Sequence, residues 1–254
     1  MFAGLGPSSG GYPVRTIDRP FTPATSVEAP MTTSTDGRIL RGEQTRRTVL
    51  RRAVDIASEE GLESLSLGRL AKELQISKSG VFAHFGSKEE LQLAAVRAAS
   101  RIYHDHVVRE AMEAPPGVDR LWRLCANKLA YSRERVFSGG CFFYTVTAEF
   151  ESRPGRVRES LVAAQHAWRG LIVRTAEDAR QLGELAEDTD TALLAFEVHA
   201  FVDAANALSL LEDDLTTPYV TARRALAARL DVLATPAAPR PWADEPDDAA
   251  TPTD

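Results

Sequence analysis

Residues 45–91 read TRRTVLRRAVDIASEEGLESLSLGRLAKELQISKSGVFAHFGSKEEL, and this stretch decides the fold. Its apolar residues recur at helical spacing in segments parted by brief links. A first helix is expected from about Glu43 to Glu60, with Val49, Leu50, Ala53, Ile56 and Ala57 on one side and Gly61 as its stop. Two short helices follow, Leu67 to Leu74 and Ser77 to Phe85, joined by Gln75-Ile76, with Ser66 and Ser77 placed as N-caps. Ser87-Lys88-Glu89-Glu90 is a capping box that opens a long helix to about Ala111. Two short helices packed on a longer one are the geometry of a helix-turn-helix, whose second helix enters the DNA major groove. In that second helix Val81 and Phe85 lie four apart and face the core, which leaves Ser77, Lys78, Ser79 and Ala83 on other faces. Small and cationic residues at a helix start allow close approach to base edges, and Gly80 lets the helix sit near a neighbour or the DNA. Lys88 points at phosphate from the start of the next helix, whose backbone N–H groups add partial positive charge.

The charge supports this division. The chain has 254 residues and a net charge of −6, yet residues 38–91 carry ten basic against eight acidic side chains, so that segment is +2 and the remainder −8. Phosphate attraction depends on the charge within about one Debye length, roughly 8 Å at physiological salt, and not on the total. The basic outer face of the first helix therefore counts for more than the acidic body.

The ordered run Thr45 to Leu91, with Val81-Phe82-Ala83-His84-Phe85 followed by Gly86-Ser87-Lys88-Glu89, resembles the DNA-binding domain of the TetR family of transcriptional regulators. It spans roughly a fifth of the chain. Carried over by position, the resemblance implies that Arg46, Ser66, Arg69, Phe82, His84 and Lys88 lie near the DNA backbone, while Ser77, Lys78, Ser79 and Ala83 face the groove. Two positions depart from the family's habit. Phe82 stands where a Tyr is usual and lacks the hydroxyl that would reach a phosphate, and Ala57 stands where many members have Phe.

Outward from this block the chain stays all-α, with about nine helices expected in total. Domain boundaries follow from composition: a disordered N-terminal tail over 1–36, a helix-turn-helix domain over 37–91, a helical dimerisation and ligand-binding domain over 92–235, and a disordered acidic tail over 236–254. In the body, helices are expected over Val118 to Phe137, over the apolar run CFFYTVTAEF before Pro154-Gly155, along a seam of Val157, Leu161, Ala164, Trp168 and Leu171, and over Thr189 to Leu211 and Pro218 to Ala234. The last two carry apolar residues on more than one face: Leu193, Leu194, Phe196, Val198, Phe201, Val202, Leu208 and Leu211 in one, and Leu226, Leu230 and Leu233 in the other. A helix apolar all round must be covered all round. A homodimer through the last two helices supplies that cover, as in the dimer the resemblance implies, and two-fold symmetry then matches a palindromic double-stranded operator.

The resemblance also implies a pocket for a small-molecule effector. Its candidates are Tyr103, Trp122, Cys125, Phe142, Phe143, Tyr144, His166, Trp168 and His199, each of which could equally be plain core of a helical bundle. No pattern names the ligand. Other classes are disfavoured. Cys125 and Cys141 make neither a disulfide framework nor a metal or redox pair, and the five histidines lack zinc-ligand spacing, so no metal or cofactor is expected. No nucleophile–base pairing or phosphate-binding glycine loop suggests an enzyme. The most apolar stretch, Ala192 to Leu211, is broken by Glu197, His199 and Asp203, against a membrane span, and the first residues do not resemble a secretory signal, so a cytoplasmic location is expected. The alternative is a helical interaction or small-molecule-binding protein that has lost DNA binding.

Overall fold

The computed structural model describes residues 34–243. Every described element beyond the opening of the first helix belongs to one compact unit that begins at Arg41. Of the disorder expected for 1–36, residues 1–33 lie outside the described residues and 34–36 are helical instead; of that expected for 236–254, residues 244–254 lie outside them.

Nine α-helices occur among the described residues: α1 (Ser34–Glu60), α2 (Leu67–Glu73), α3 (Lys78–Phe85), α4 (Lys88–Tyr103), α5 (Val118–Arg133), α6 (Phe142–Phe150), α7 (Arg156–Gln181), α8 (Thr191–Leu211) and α9 (Thr217–Leu233). The only extended pairing among them is an isolated bridge between Leu185 and Ala234. The first three helices share a core of Val49, Ala53, Ile56, Leu70, Val81 and Phe85. Behind this head, α4, α5, α7, α8 and α9 pack together as the body, and α6 lies on α7.

Three expectations change. The helix begun at Ser87 leaves α-geometry after Tyr103 for a π turn, His104–Val108, in which the Arg109 N–H donates to the His104 carbonyl at 2.9 Å. The wider turn shifts the helix phase by one residue, so Val107 reaches the core while His104, Asp105 and His106 stay in solvent. The helix expected to reach Phe137 stops at Arg133, because Arg135 adopts a left-handed conformation (φ 50°) that folds Val136 and Phe137 back into the core. The tail expected to be disordered from Pro236 is held as far as Ala243. Trp242 is buried, its indole N–H donates to Asp231 at 2.9 Å, and its ring centroid lies 5.7 Å from that of Trp122.

Head and body meet at a glycine. The Gly139 amide donates to the Ser58 hydroxyl of α1 at 3.1 Å, and a Cβ at Gly139 would stand 2.1 Å from the Ser58 carbonyl oxygen. No other residue type fits there without moving α1.

Of the described helices, α8 is the one long and apolar enough to cross a membrane by those criteria alone. Leu194, Val198 and Val202 bury it against the body, and Glu197 pairs with Arg229 of α9 at 2.6 Å. Apolar residues on two faces hold for α8 but not for α9. Leu226 and Leu230 turn inward and Leu233 is half-buried against the core, which leaves Val232 as the exposed large apolar residue of α9.

Candidate nucleic-acid interface

Three serines start three successive helices in the same way. Ser66 accepts from the Arg69 amide at 3.0 Å, Ser77 from Gly80 at 3.1 Å and Ser87 from Glu90 at 3.1 Å. Each satisfies one donor that the first helical turn leaves open. The Glu90 carboxylate does not complete the expected capping box, because it pairs with Arg156 of α7 at 2.7 Å. Between α2 and α3, Gln75 takes a left-handed conformation (φ 55°) that makes the turn in two residues. Gly80 has no such backbone demand. A side chain there would meet the Ser77 hydroxyl at 3.0 Å, so the glycine preserves the cap.

Helix α3 buries Val81 and Phe85 and turns Ser77, Lys78, Ser79, Phe82 and Ala83 to solvent. The Phe82 ring is 58% exposed, a large apolar surface left beside small and polar neighbours. From α1, Arg46 donates to the His84 carbonyl at 3.0 Å with its guanidinium 4.7 Å from the Phe85 ring centroid, so it braces the end of α3. His84 itself is half-buried, its ring edge-on to Phe85.

The cations of the head are mostly matched. Arg69 holds Glu60 through two hydrogen bonds of 2.7 and 2.6 Å and Glu73 at 2.8 Å, and Arg52 reaches the same Glu73 at 2.6 Å. These contacts hold the Glu60 and Glu73 carboxyls below the usual carboxylate range, with the Arg69 hydrogen bond the largest cause in both. Lys88 donates to the Glu63 carbonyl at 2.7 Å and to its carboxylate at 3.0 Å. Among the described residues Lys72 and Lys78 form no ion pair, and the Lys78 stem packs over Gly68 of α2.

The turn after α1 carries the head's link to α6. Gly61 (φ 82°) lets the Glu149 carboxylate approach, and Glu149 then accepts from the Leu62 amide at 2.6 Å and the Glu63 amide at 3.0 Å. Gln92 of α4 donates to the Leu62 carbonyl at 3.0 Å. Arg51 donates to the Val136 carbonyl at 2.9 Å. The head is thus attached to α4, α6 and the loop after α5 by hydrogen bonds between named atoms.

In the body, an open cavity of about 300 Å³ lies along α6 and α7, with Phe150, Leu161, Gln165, His166 and Arg169 among its walls and His199 of α8 on one side. Next to it Tyr103, Tyr131, Phe143 and Trp168 form an edge-to-face aromatic cluster with centroids 5.3–5.8 Å apart.

Residues 49–95 match the family model described as bacterial regulatory proteins, tetR family, and residues 117–226 match the one described as tetracyclin repressor-like, C-terminal domain. The chain belongs to the TetR family. It is a DNA-binding transcriptional regulator, not an enzyme. Solved relatives share its fold. A TetR regulator from Chloroflexus aurantiacus is 22% identical with a TM-score of 0.71, over 77% of this chain and 98% of that one. A regulator from Saccharomonospora viridis in complex with choline is 21% identical with a TM-score of 0.64, over 74% and 96%. AibR, solved with isovaleryl coenzyme A and operator DNA, is 19% identical with a TM-score of 0.54, over 63% and 85%. A search of curated proteins finds no match.

The nine pocket candidates of this TetR-family chain do not form one site. His166 and His199 line the cavity. Tyr103, Phe143 and Trp168 belong to the aromatic cluster. Trp122 lies apart, covered by Trp242 and by the guanidinium of Arg223 5.3 Å from its ring centroid. Phe142 is core against Phe137, Tyr144 is half-buried against the core, and the Cys125 thiol is pushed up to about 12 by burial. Sequence reasoning missed Lys128, a buried residue whose ammonium lies 4.8 Å from the Trp168 ring centroid. Its signal is present, since Lys128 continues the apolar periodicity of Leu121, Leu124 and Cys125 on α5.

Proposed function

We propose that this protein is a cytoplasmic homodimeric repressor that binds a palindromic operator and is released by a small-molecule effector. The observation that carries the reading is helix α3: pinned from below by Val81, Phe85 and Arg46, it presents Ser77, Lys78, Ser79 and Ala83 outward as one rigid surface. In this reading those four face base edges. Arg46, Ser66, Arg69, Phe82, His84 and Lys88 flank the phosphates, Arg69 and Lys88 by exchanging their glutamate partners for phosphate oxygens and Phe82 by apolar contact alone.

Dimerisation is supported by α8. Leu193, Phe196, Ala200, Ala204, Leu208 and Leu211 are all exposed and step by three and four along one face. Two small residues at mid-seam admit the matching helix of a second copy at close range, in an isologous contact. Two heads then meet half-sites about 34 Å apart. The relatives solved with choline, or with an acyl coenzyme A and operator DNA, are compatible with effector control, and the Glu149 and Gly139 contacts give movement in the body a route to α1. An effector need couple to operator affinity by only about 1–3 kcal/mol to change it 5- to 150-fold.

The test is selection of genomic DNA fragments on purified protein, followed by sequencing, with Arg69→Ala plus Lys88→Ala as control. Enrichment of a shared palindrome by the wild type only is the expected result. Equal enrichment by both proteins overturns the assignment of these cations. No enrichment by either favours the interaction-protein alternative, for which Phe82 and the glutamate-matched cations speak. Leu193→Glu plus Phe196→Glu is expected to halve the mass in solution, and an unchanged dimer would remove the α8 seam.

A further inference from the structure

The body buries polar groups that have nothing to bond. The Tyr103 hydroxyl, the Trp168 indole N–H and the His199 Nδ1 are sealed from solvent without a hydrogen-bond partner. Lys128 adds a charge: only 4% exposed, it forms no ion pair among the described residues and sits over the rings of Trp168 at 4.8 Å and Tyr103 at 5.8 Å. Burying an ammonium without a counter-ion is costly, and ring faces offset only part of that cost. Lys128, Trp168 and Tyr103 thus bring three donors into one aromatic cluster with no hydrogen-bond acceptor on them.

We infer that this cluster takes the carboxylate of a small organic acid, held by Lys128, Trp168 and Tyr103, with the acid's apolar chain running past His199 into the open cavity. The inference deepens the effector half of the proposed function and rests on it. His199 belongs to both surroundings: it lines the cavity, its Nδ1 is among the buried unpartnered atoms, and the Lys128 charge acts on it. Trp168 lies between the cavity-lining Gln165 and Arg169 on α7. Phe150, Leu161 and Val162 supply apolar wall, and about 300 Å³ of space suits a short chain. The charges around the site favour an anion. Arg158 and Arg169 line the cavity, Glu151 opposes them, and the nearby Asp203 carboxylate lies 3.4 Å from His199 Nε2. A cationic ligand would have to share the rings with an ammonium already on them.

The test is calorimetric titration of the full chain with straight-chain carboxylates from butanoate to decanoate, against alcohols and amines of equal length. At least one carboxylate is expected to bind about tenfold or more tightly than its alcohol, the scale of one charge-assisted hydrogen bond. Lys128→Met should abolish that preference, keep the helical circular dichroism and raise the unfolding midpoint of the ligand-free protein, while Lys128→Arg keeps the preference. Alcohols binding as tightly as every carboxylate, a Met variant that retains the preference, or a midpoint that falls would each overturn the site. Genomic selection is read separately on the same protein. Loss of operator selection with the carboxylate preference intact would remove the regulator reading and leave the site standing.

Discussion

The head and the body treat polar groups in opposite ways. In the head, charges are exposed and matched: Arg52, Arg69 and Lys88 each hold a glutamate at 2.6–3.0 Å, and three serines cap three helices. In the body one buried cluster is unmatched, with Lys128, Tyr103 and Trp168 crowded together without a hydrogen-bond partner. Matched surface charge adds little to stability but holds side chains in place near a polyanion that can compete for them. Unmatched buried charge costs stability outright, and such a cost persists where something else offsets it.

The contrast can be broken at several points. The largest effect is expected from Phe85→Ala, which removes one of the two buried anchors of α3. It should cost about 3–5 kcal/mol in chemical denaturation and abolish operator selection, while the mass in solution stays unchanged. Gly139→Ala should cost about 1–3 kcal/mol, because the new methyl meets the Ser58 carbonyl. Its loss should appear in amide exchange of α1 before that of α8. Ser77→Ala removes a cap worth about 1 kcal/mol and should weaken DNA binding with a smaller change in midpoint, which would separate pre-organisation of α3 from global stability. Lys78→Ala and Arg69→Ala should each lower the slope of log affinity against log salt by about 1, Arg69 because its glutamate partners give way to phosphate oxygens on DNA. A smaller change for Arg69 would mean that the glutamates stay on it.

The smallest effect concerns acid. Glu60, Glu63 and Glu73 titrate below the usual carboxylate range in the folded chain, so their contribution is complete above the unfolded value of about 4.3 and is lost as pH falls through the lower folded values. The unfolding midpoint should therefore decline below about pH 4.5, and Arg69→Ala should flatten that decline at the Glu60 and Glu73 end. A decline of equal steepness in the variant would show that these exposed pairs contribute nothing.

The head is legible in the sequence because its signals are local. A serine three residues before the amide it caps, a Val81–Phe85 spacing and a glycine stop at Gly61 each act within one helical turn. What lies outside local reach is the fate of the cations. Arg46, Arg69 and Lys88 read as cations free for phosphate, yet apart from Glu73, four residues after Arg69 on α2, their partners come from other elements, as with Glu60 of α1 and Glu63 of the turn after it. The body resists for the opposite reason: an apolar stripe looks the same whether it faces core, cavity or a second copy. Periodicity lends α9 a second apolar face that the packing denies, and the π turn after Tyr103 has no marker as plain as a proline or glycine. Lys128 falls in register with the apolar stripe of its helix, but a lone lysine there reads as a side chain whose stem packs and whose ammonium reaches solvent.

Gly139 and Glu149 also bear on how portable the head is. A chimera that joins residues up to Leu91 to another regulator's body would lose both the carboxylate that caps the Leu62 and Glu63 amides and the bare backbone that Ser58 rests against. The head is contiguous in the chain, yet the atoms that complete it lie beyond residue 130. Transplants that carry those two positions along should keep the donor's DNA preference, and transplants cut at the helix-turn-helix boundary should not.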